Sequence, residues 1–540
     1  MDLTNPLHFI LTIFAGLAAL ALVIWLIVFL VKPSRRRDAL SLAIPFHFIG
    51  RKNRKHHVFV GISPYSKLMA ASLLREWEKE KKKKDQGRIL FVNLTDRFNP
   101  LAERLLRAEL SSQRVRLFNA TPAEALKLRG LRSWLANKRT SLYLFADSQE
   151  VNAQLLTQAT ADPSIKAKIF YYSSDPNGFD ALVAATGSRV RTLNPHQMAF
   201  RHLTLQCPRL MPFNYVKKAV GADGEPLGYV TEGLHALVIG FGNTGQEAVR
   251  FLYEFGSFVG KDFQRVPMSV KVYDPSLDAQ LGAFLESAPQ MKGDKAFTWC
   301  AESAGSVAFW EEFARAHFNY IIVAMDDGPR NLQMGVALLQ AAARAGQDLS
   351  SMLILMRYWQ ETAKTQEITK SYNEAFGVSA LHCFGNTKDI WTADVISGRR
   401  LKNVALLFDE NRQAMGISET WDQRKERLSQ PGKNHLRNQL QLRREQAMDV
   451  ERAVYLPTFY AFAPKGQPNT EQMQYLAALE HLHWMHALAV MGYTDGPLDE
   501  LTKHHPDMQP YPTLPSGDHR HMGLLAVKSM LQLKNRENNV

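Results

Sequence analysis

Cysteine is scarce. Cys207, Cys300 and Cys383 are the only three in 540 residues, widely spaced and in no metal or redox pattern. Neither a disulfide framework nor a cysteine-built zinc site therefore organises the chain, and buried reduced thiols in a cytosolic setting are expected. No H-E-x-x-H occurs, which removes the commonest helical zinc-protease pattern. The basic run Lys81 to Lys84 has no interleaved aromatics on which bases could stack, so it reads as a solvated helix end and nucleic acid is not an expected partner. Charge is missing altogether from residues 9–31, where Thr12 is the only clearly polar side chain. A run of that length spans a hydrocarbon core of about 30 Å as one helix. No basic residue precedes it and no small-residue cleavage site follows it, which sets it apart from a secretory signal.

The charge that is present supports the same placement. Lys32, Arg35, Arg36 and Arg37 follow the apolar run, then Arg51, Lys52, Arg54 and Lys55, while Asp2 alone charges the other flank. By the positive-inside rule the N-terminus faces out and the bulk is cytosolic, a single-pass protein of the plasma (inner) membrane. The basic cluster is expected to rest on anionic lipid head groups. The excess of 65 Lys and Arg over 52 Asp and Glu, a net +13, is read in that light. A chain of this size calls for several domains.

Residues 235–255, HALVIGFGNTGQEAVRFLYEF, read as a buried strand, a glycine turn and a helix. Gly240 permits the tight turn, Gly242 lets a ligand near the main chain, and Gly245 lets the helix pack on the strand. With Asn243 and Thr244 these form a G-x-G-x-x-G loop at a helix N-terminus, where backbone N–H groups can meet a pyrophosphate. VKVYDP then supplies a second strand ending in Asp274, a candidate acceptor for ribose hydroxyls, later than the usual spacing of about 20 residues. The alternative is a bare Rossmann scaffold that has lost its ligand.

The pattern occurs twice. Gly61, Asp147 and Asn152 stand 179 residues before Gly240, Asp326 and Asn331, each pair in a strand-turn-helix context. Two α/β units with parallel sheets are expected, over about 56–220 and 232–405. In the first, Ser63 and Ser66 replace the second and third glycines and Asn93 ends the second strand, so a phosphate is held off the backbone and a structural role is expected. In the second, Asp326 and Asp327 follow the fourth strand, placed to hold ribose, bind a divalent cation or cap the next helix.

GFGNTGQ, VYDP and VAMDDGPRNLQMGVALLQAA, in tandem copies behind an apolar segment, resemble the regulator-of-potassium-conductance domains of potassium channels and Trk-type uptake regulators. The resemblance covers about two-thirds of the chain. It implies Rossmann-like domains that sense a nucleotide or ion, pair through their faces and move a membrane pore. Carried over, Gly240, Gly242 and Gly245 hold phosphates, Asp274 the adenosine ribose, and Asp326 borders the site, with NAD or another adenine nucleotide as ligand. No T-x-G-Y-G filter is present and one helix cannot supply both a pore helix and an inner helix, so the chain is not a self-contained potassium channel of that type.

Residues 406–468 turn polar. Leu436, Leu440, Ala447, Val450 and Val454 recur at helical spacing from His435 onward, with Pro457 and Pro464 as breaks. Beyond them, residues 469–535 resemble the repeat of ryanodine receptors (RyR): Leu476 and Ala477, His481 and Trp484, Gly492 and Tyr493, Gly496 and Pro497, His505 and Pro506, then Tyr511, Leu514 and Pro515. The resemblance implies a small, mainly helical module, with His481, Trp484, Tyr493 and His505 as a possible ligand pocket. Read from the residues alone, His481 and Trp484 share a helical face and are either core or a stacking pocket. Seven histidines lie between His481 and His521 without metal-site spacing, and no metal site is assigned.

The expected architecture is α/β: a tail (1–8), one transmembrane helix (9–31), a basic segment (32–55), two Rossmann-like domains, a helical linker and the RyR-like domain. The expected function is a membrane-anchored cytosolic sensor, homo-oligomeric, that couples a nucleotide to ion conductance or to a channel or transporter partner, with no catalytic residues. Two alternatives stand: a self-assembling membrane-perturbing effector of a nucleotide-signalling defence system, and a membrane-tethered NAD-dependent oxidoreductase.

Overall fold

The computed structural model describes residues 55–79, 86–95, 100–110, 112, 114–173, 189–414, 419–430, 434–515 and 517–538. The apolar segment 9–31 and most of the basic segment after it lie outside the described residues. Among the described residues no helix is long and apolar enough to cross a membrane.

The chain divides into two compact units, residues 1–172 with 189–192, and 173–188 with 193–540. The first holds β1 (Lys55–Val60), α1 (Pro64–Lys79), β2 (Gln86–Asn93), α2 (Pro100–Glu109), β3 (Val115–Asn119), α3 (Arg129–Leu135), β4 (Ser141–Leu144), α4 (Gln149–Ala161), β5 (Lys168–Tyr172) and β6 (Val190–Leu193). Its sheet runs β3-β2-β1-β4-β5-β6, the doubly wound order of dinucleotide-binding folds. Val58, Phe59 and Val60 are fully buried, as expected where helices cover both faces of a parallel sheet.

The second unit opens with α5 (Pro195–Gln206), the hairpin β7 (Lys217–Val220) and β8 (Pro226–Glu232), then β9 (His235–Ile239), α6 (Asn243–Phe255), β10 (Ser269–Tyr273), α7 (Leu277–Ser287), β11 (Phe297–Cys300), α8 (Val307–Arg315), β12 (Tyr320–Val323), α9 (Gly328–Arg344), β13 (Leu353–Arg357), α10 (Ala363–Phe376) and β14 (Leu381–Phe384). Its sheet, β11-β10-β9-β12-β13-β14, repeats the first order and is parallel throughout.

The 179-residue repeat holds at the level of single hydrogen bonds. Gly61 N–H donates to Val92 O and Gly240 N–H to Tyr273 O, both at 2.9 Å; Phe145 N–H reaches Val60 O at 2.8 Å and Ala324 N–H reaches Ile239 O at 2.7 Å. Asn152 receives Ala146 N–H and donates back to Ala146 O, and Asn331 does the same to Met325. Each asparagine thus ties the end of the fourth strand to the following helix, satisfying backbone groups that the turn would otherwise orphan.

Short α11 (Thr387–Ile390) and α12 (Ala393–Ser397) lead into α13 (Arg399–Ala414), α14 (Trp421–Leu428), α15 (His435–Phe462), α16 (Thr470–Val490) and α17 (Asp518–Asn538). Helices α13, α15, α16 and α17 pack on one another, and α16 also packs on α6 and β8. At β8, Gly228 has φ +94° and a Cβ there would lie 2.8 Å from Tyr475 Cβ, so only glycine lets α16 this close. Helix α15 begins at His435 as the sequence suggests, yet Pro457 lies inside it and the helix runs to Phe462. The expected stripe holds only at its end, where Val454 is buried: Leu436 is 46% exposed, Leu440, Ala447 and Val450 are half-buried, and Leu442, Arg444, Met448 and Asp449 are buried instead. The buried face is chosen by ion pairs, Arg444 with Glu500 at 2.9 Å and Arg452 with Glu480 at 2.7 Å, which hydrophobic spacing does not register.

Candidate nucleotide site

The sheet order reverses between β9 and β12, the place where open α/β sheets bind ligands at strand C-termini. The glycine loop follows β9. Gly240 has φ +94°, and a Cβ there would approach Ala324 O to 2.8 Å, so the turn demands glycine. Phe241 anchors the loop from below, its ring edge-on to Phe284 at 5.2 Å and Trp299 at 5.5 Å. Gly242 is the N-cap of α6 and no side chain caps the helix. Its first-turn N–H groups have no intrahelical acceptor, and the helix dipole adds partial positive charge. At Gly245 a Cβ would sit 1.9 Å from Gly240 O, which fixes the close packing of helix on strand.

Asp274, after β10, reaches the same loop. Its Oδ2 accepts Phe241 N–H at 2.7 Å and its Oδ1 accepts Ser276 N–H at 2.6 Å. Two of about four lone-pair positions on the carboxylate are thereby used, leaving acceptor capacity for hydroxyls. Asp326, after β12, is exposed, and its Oδ1 lies 3.5 Å from where a Gly242 Cβ would stand. Asp327 is the N-cap residue of α9 but its side chain makes no capping bond. Gly240, Gly242, Asn243, Thr244, Gly245, Asp274 and Asp326 therefore share one sheet edge, with Asn243 exposed and Thr244 buried.

The first unit closes the corresponding space with its own side chains. Ser63 N–H donates to Ser66 Oγ at 2.8 Å and Ser66 N–H to Ser63 Oγ at 3.1 Å. The amides that meet phosphate in such a loop are already paired. Asn93, at the end of β2, donates to Asn119 Oδ1 at 3.1 Å.

Three residues at the second edge escape sequence reasoning. His196, in the first turn of α5, places Nδ1 2.7 Å from Thr244 Oγ1 and packs edge-on to Trp359 at 5.3 Å. Burial, then the nearby Arg357 cation, pushes its pKa down to about 4, so the ring is neutral at pH 7. Arg357 is fully buried at the end of β13, its guanidinium 3.6 Å from the Trp359 ring centroid and Nη1 donating to Phe384 O and Gly385 O. An arginine closing the apolar run LILM was the one visible signal; His196 carried none, since its partner lies 48 residues away.

The C-terminal residues make two sets of contacts. His481 Nε2 lies 2.8 Å from Gln509 O, its ring stacks on Trp484 at 5.6 Å, and His505 packs edge-on to Trp484 at 5.0 Å. The Tyr493 hydroxyl donates to Glu500 Oε2 at 2.7 Å, beside the Arg444 pair. Among the described residues no group of three or more His, Cys, Asp or Glu side chains is arranged to hold a metal ion.

No protein-family model and no curated protein matches the chain. Solved structures with a partial likeness include the GsuK channel, 16% identical over 64% of this chain and 70% of that one, with a TM-score of 0.36. The GsuK channel bound to NAD is 14% identical, covers 65% of each chain and has a TM-score of 0.37. GsuK bound to ADP is 15% identical over 64% of this chain and 70% of that one, with a TM-score of 0.34. Likenesses this distant leave the site's own geometry to carry its function.

Proposed function

We propose that the chain is a membrane-anchored sensor that binds NAD or another adenine nucleotide at the edge of its second sheet and passes the bound state to a channel or transporter partner. One observation carries the reading: the second glycine loop presents an uncapped helix N-terminus between Asp274 and Asp326, whereas the first fills the same position with Ser63 and Ser66. Phosphate oxygens suit the first-turn amides of α6, and the adenosine ribose suits the remaining acceptor positions of Asp274. The nucleotide's role is to be held and reported. His196 bridges the loop to Arg357 and Trp359, so a shift of Thr244 on binding moves side chains on α5 and β13. A ligand can bias such an arrangement only through its differential affinity for two states.

The membrane anchor is segment 9–31, with the N-terminus outside and both sheets in the cytosol, and the basic residues after it contact anionic lipids. Homo-oligomerisation lets small rotations of the α/β units act on a membrane partner.

Calorimetry of the full chain in detergent with NAD and with ADP tests the site. Asp274→Ala and Gly242→Trp should each weaken binding at least tenfold while circular dichroism stays unchanged. Affinity equal to that of the parent in both variants rejects the assignment.

A further inference from the structure

Helix α16 lies against α6 and the β7–β8 hairpin, and beside it, lined also by the segments after α6 and α7, is a cavity of about 400 Å³, large enough for a drug-sized ligand. It is separate from the glycine loop. Tyr253, in the last turn of α6, lines it, and Thr244 at the other end of α6 is about 14 Å away along the helix axis at 1.5 Å per residue.

The two walls differ in chemistry. From α16 and the chain after it come Leu482, Met485, His481 and Tyr511, an apolar and aromatic surface. His481 and Tyr511 rings lie 6.1 Å apart and tilted. Facing them are Arg265 and Lys292. Arg265 donates Nη1 to Asp294 Oδ2 at 2.5 Å and lies 5.4 Å from the Tyr253 ring centroid, but its Nη2 is buried without a hydrogen-bond partner. Lys292 is exposed. Asp294 offsets one of the two cations, so the lining keeps a positive excess. The Arg265 side chain is partly exposed, and a planar fork of donors matches the oxygens of phosphate. Aromatic side chains opposite a cation fit a ligand with a flat ring at one end and an anion at the other.

We propose that this cavity is a second binding site, distinct from the glycine loop, for a nucleoside monophosphate: a flat heteroaromatic base joined through its ribose to one phosphate, the phosphate on Arg265 and Lys292 and the base against His481 and Tyr511. The site goes beyond the sensor reading and does not depend on it. Its use of the C-terminal helices gives them a role in recognition, through a wall shared with the α/β unit.

The test uses the full chain in detergent carrying Gly242→Trp, which blocks the loop, and titrates it with adenosine monophosphate, uridine monophosphate, adenosine and inorganic phosphate. At least one monophosphate should bind, with the bare nucleoside and inorganic phosphate each at least tenfold weaker. Lys292→Glu removes an exposed cation without disturbing the core, and Met485→Trp fills the cavity; each should weaken the monophosphate at least tenfold. The proposal is overturned if neither monophosphate binds the Gly242→Trp chain, if inorganic phosphate binds as tightly as the monophosphates, or if neither added substitution changes their affinity. Loss of NAD and ADP binding in Gly242→Trp reports on the loop alone, so the two sites fail or stand separately.

Discussion

At the scale of single residues, the glycines divide by what a methyl group would meet. Gly245 has no room, since a Cβ would lie 1.9 Å from Gly240 O, a backbone atom that cannot swing aside. Gly282, in the exposed middle of α7, has nothing within 4 Å of its Cβ position. Gly245→Ala is therefore expected to destabilise by about 1–3 kcal/mol, as overpacking does. Gly282→Ala should stabilise by about 0.5–1 kcal/mol through helix propensity. Urea unfolding of the two variants checks both signs, and equal effects would contradict the steric account. A second residue-scale expectation concerns His196. Replacing it with Leu removes the contact to Thr244 Oγ1 at 2.7 Å, and nucleotide affinity should change while the circular dichroism spectrum does not. Unchanged affinity would make His196 a packing residue only.

Among the elements, α6 is unusual: every side chain from Thr244 to Phe255 is buried, including Glu247, Arg250 and Glu254. A helix enclosed on all sides is normally apolar all round; here the polar face is matched instead by partners. Arg250 pairs with Glu247 at 3.1 Å, Arg201 on α5 with Glu451 on α15, and His483 on α16 lies 3.1 Å from Glu254. Burial pushes the Glu254 carboxyl from its ordinary 4.5 up to about 7, with Arg201 opposing and Glu247 adding. Burial pushes His483 down to about 4 against the pull of Glu451 and Glu480.

The signs of these two shifts are opposite. Between 4.5 and 7 the folded state holds more protons at Glu254 than the unfolded chain, so this group loses stability as pH rises through that range. His483 does the reverse between 4 and 6.5, where the unfolded chain holds the extra proton. Glu254→Gln, which mimics the protonated acid, should leave stability nearly unchanged at pH 4 and raise it at pH 8 by on the order of 2–3 kcal/mol. Thermal unfolding at the two pH values measures the difference, and a variant less stable at pH 8 would contradict the burial account.

These elements also mark where sequence reading succeeds and where it stops. Gly240, Asn152 and Asn331 were legible because each answers a local backbone demand that recurs at a fixed offset. The start of α15 at His435 was legible from the onset of helical periodicity. Its buried face was not, because Arg444 turns inward to Glu500, 56 residues on, a partner that no spacing rule can find. Nor did Pro457 end the helix, since the buried Val454, Tyr455, Leu456, Phe459 and Phe462 around it hold the turn against the lost hydrogen bond. The Tyr493 hydroxyl is taken by Glu500, a polar partner seven residues on that the resemblance does not register.

For the whole molecule, the sensor reading makes two demands. Light scattering of the full chain in detergent should give a mass that is a multiple of 61.1 kDa, and a monomer would remove the proposed route from rotation to membrane. Deleting residues 1–54 should yield protein recovered without detergent, and continued partition of the deleted form into the membrane fraction would place the anchor elsewhere.

The repeated strand-end clip has a further consequence. Asn152 and Asn331 hold the same turn in both units, and Gly61 and Gly240 both have positive φ, while the loops beyond them differ. The molecule thus carries its own blank. In an amide-exchange experiment, temperature, detergent and general tightening act on the clipped amides of Ala146 and Met325 alike. A slowing confined to the second loop on adding nucleotide is then occupancy, measured against an internal control that no separate sample could match.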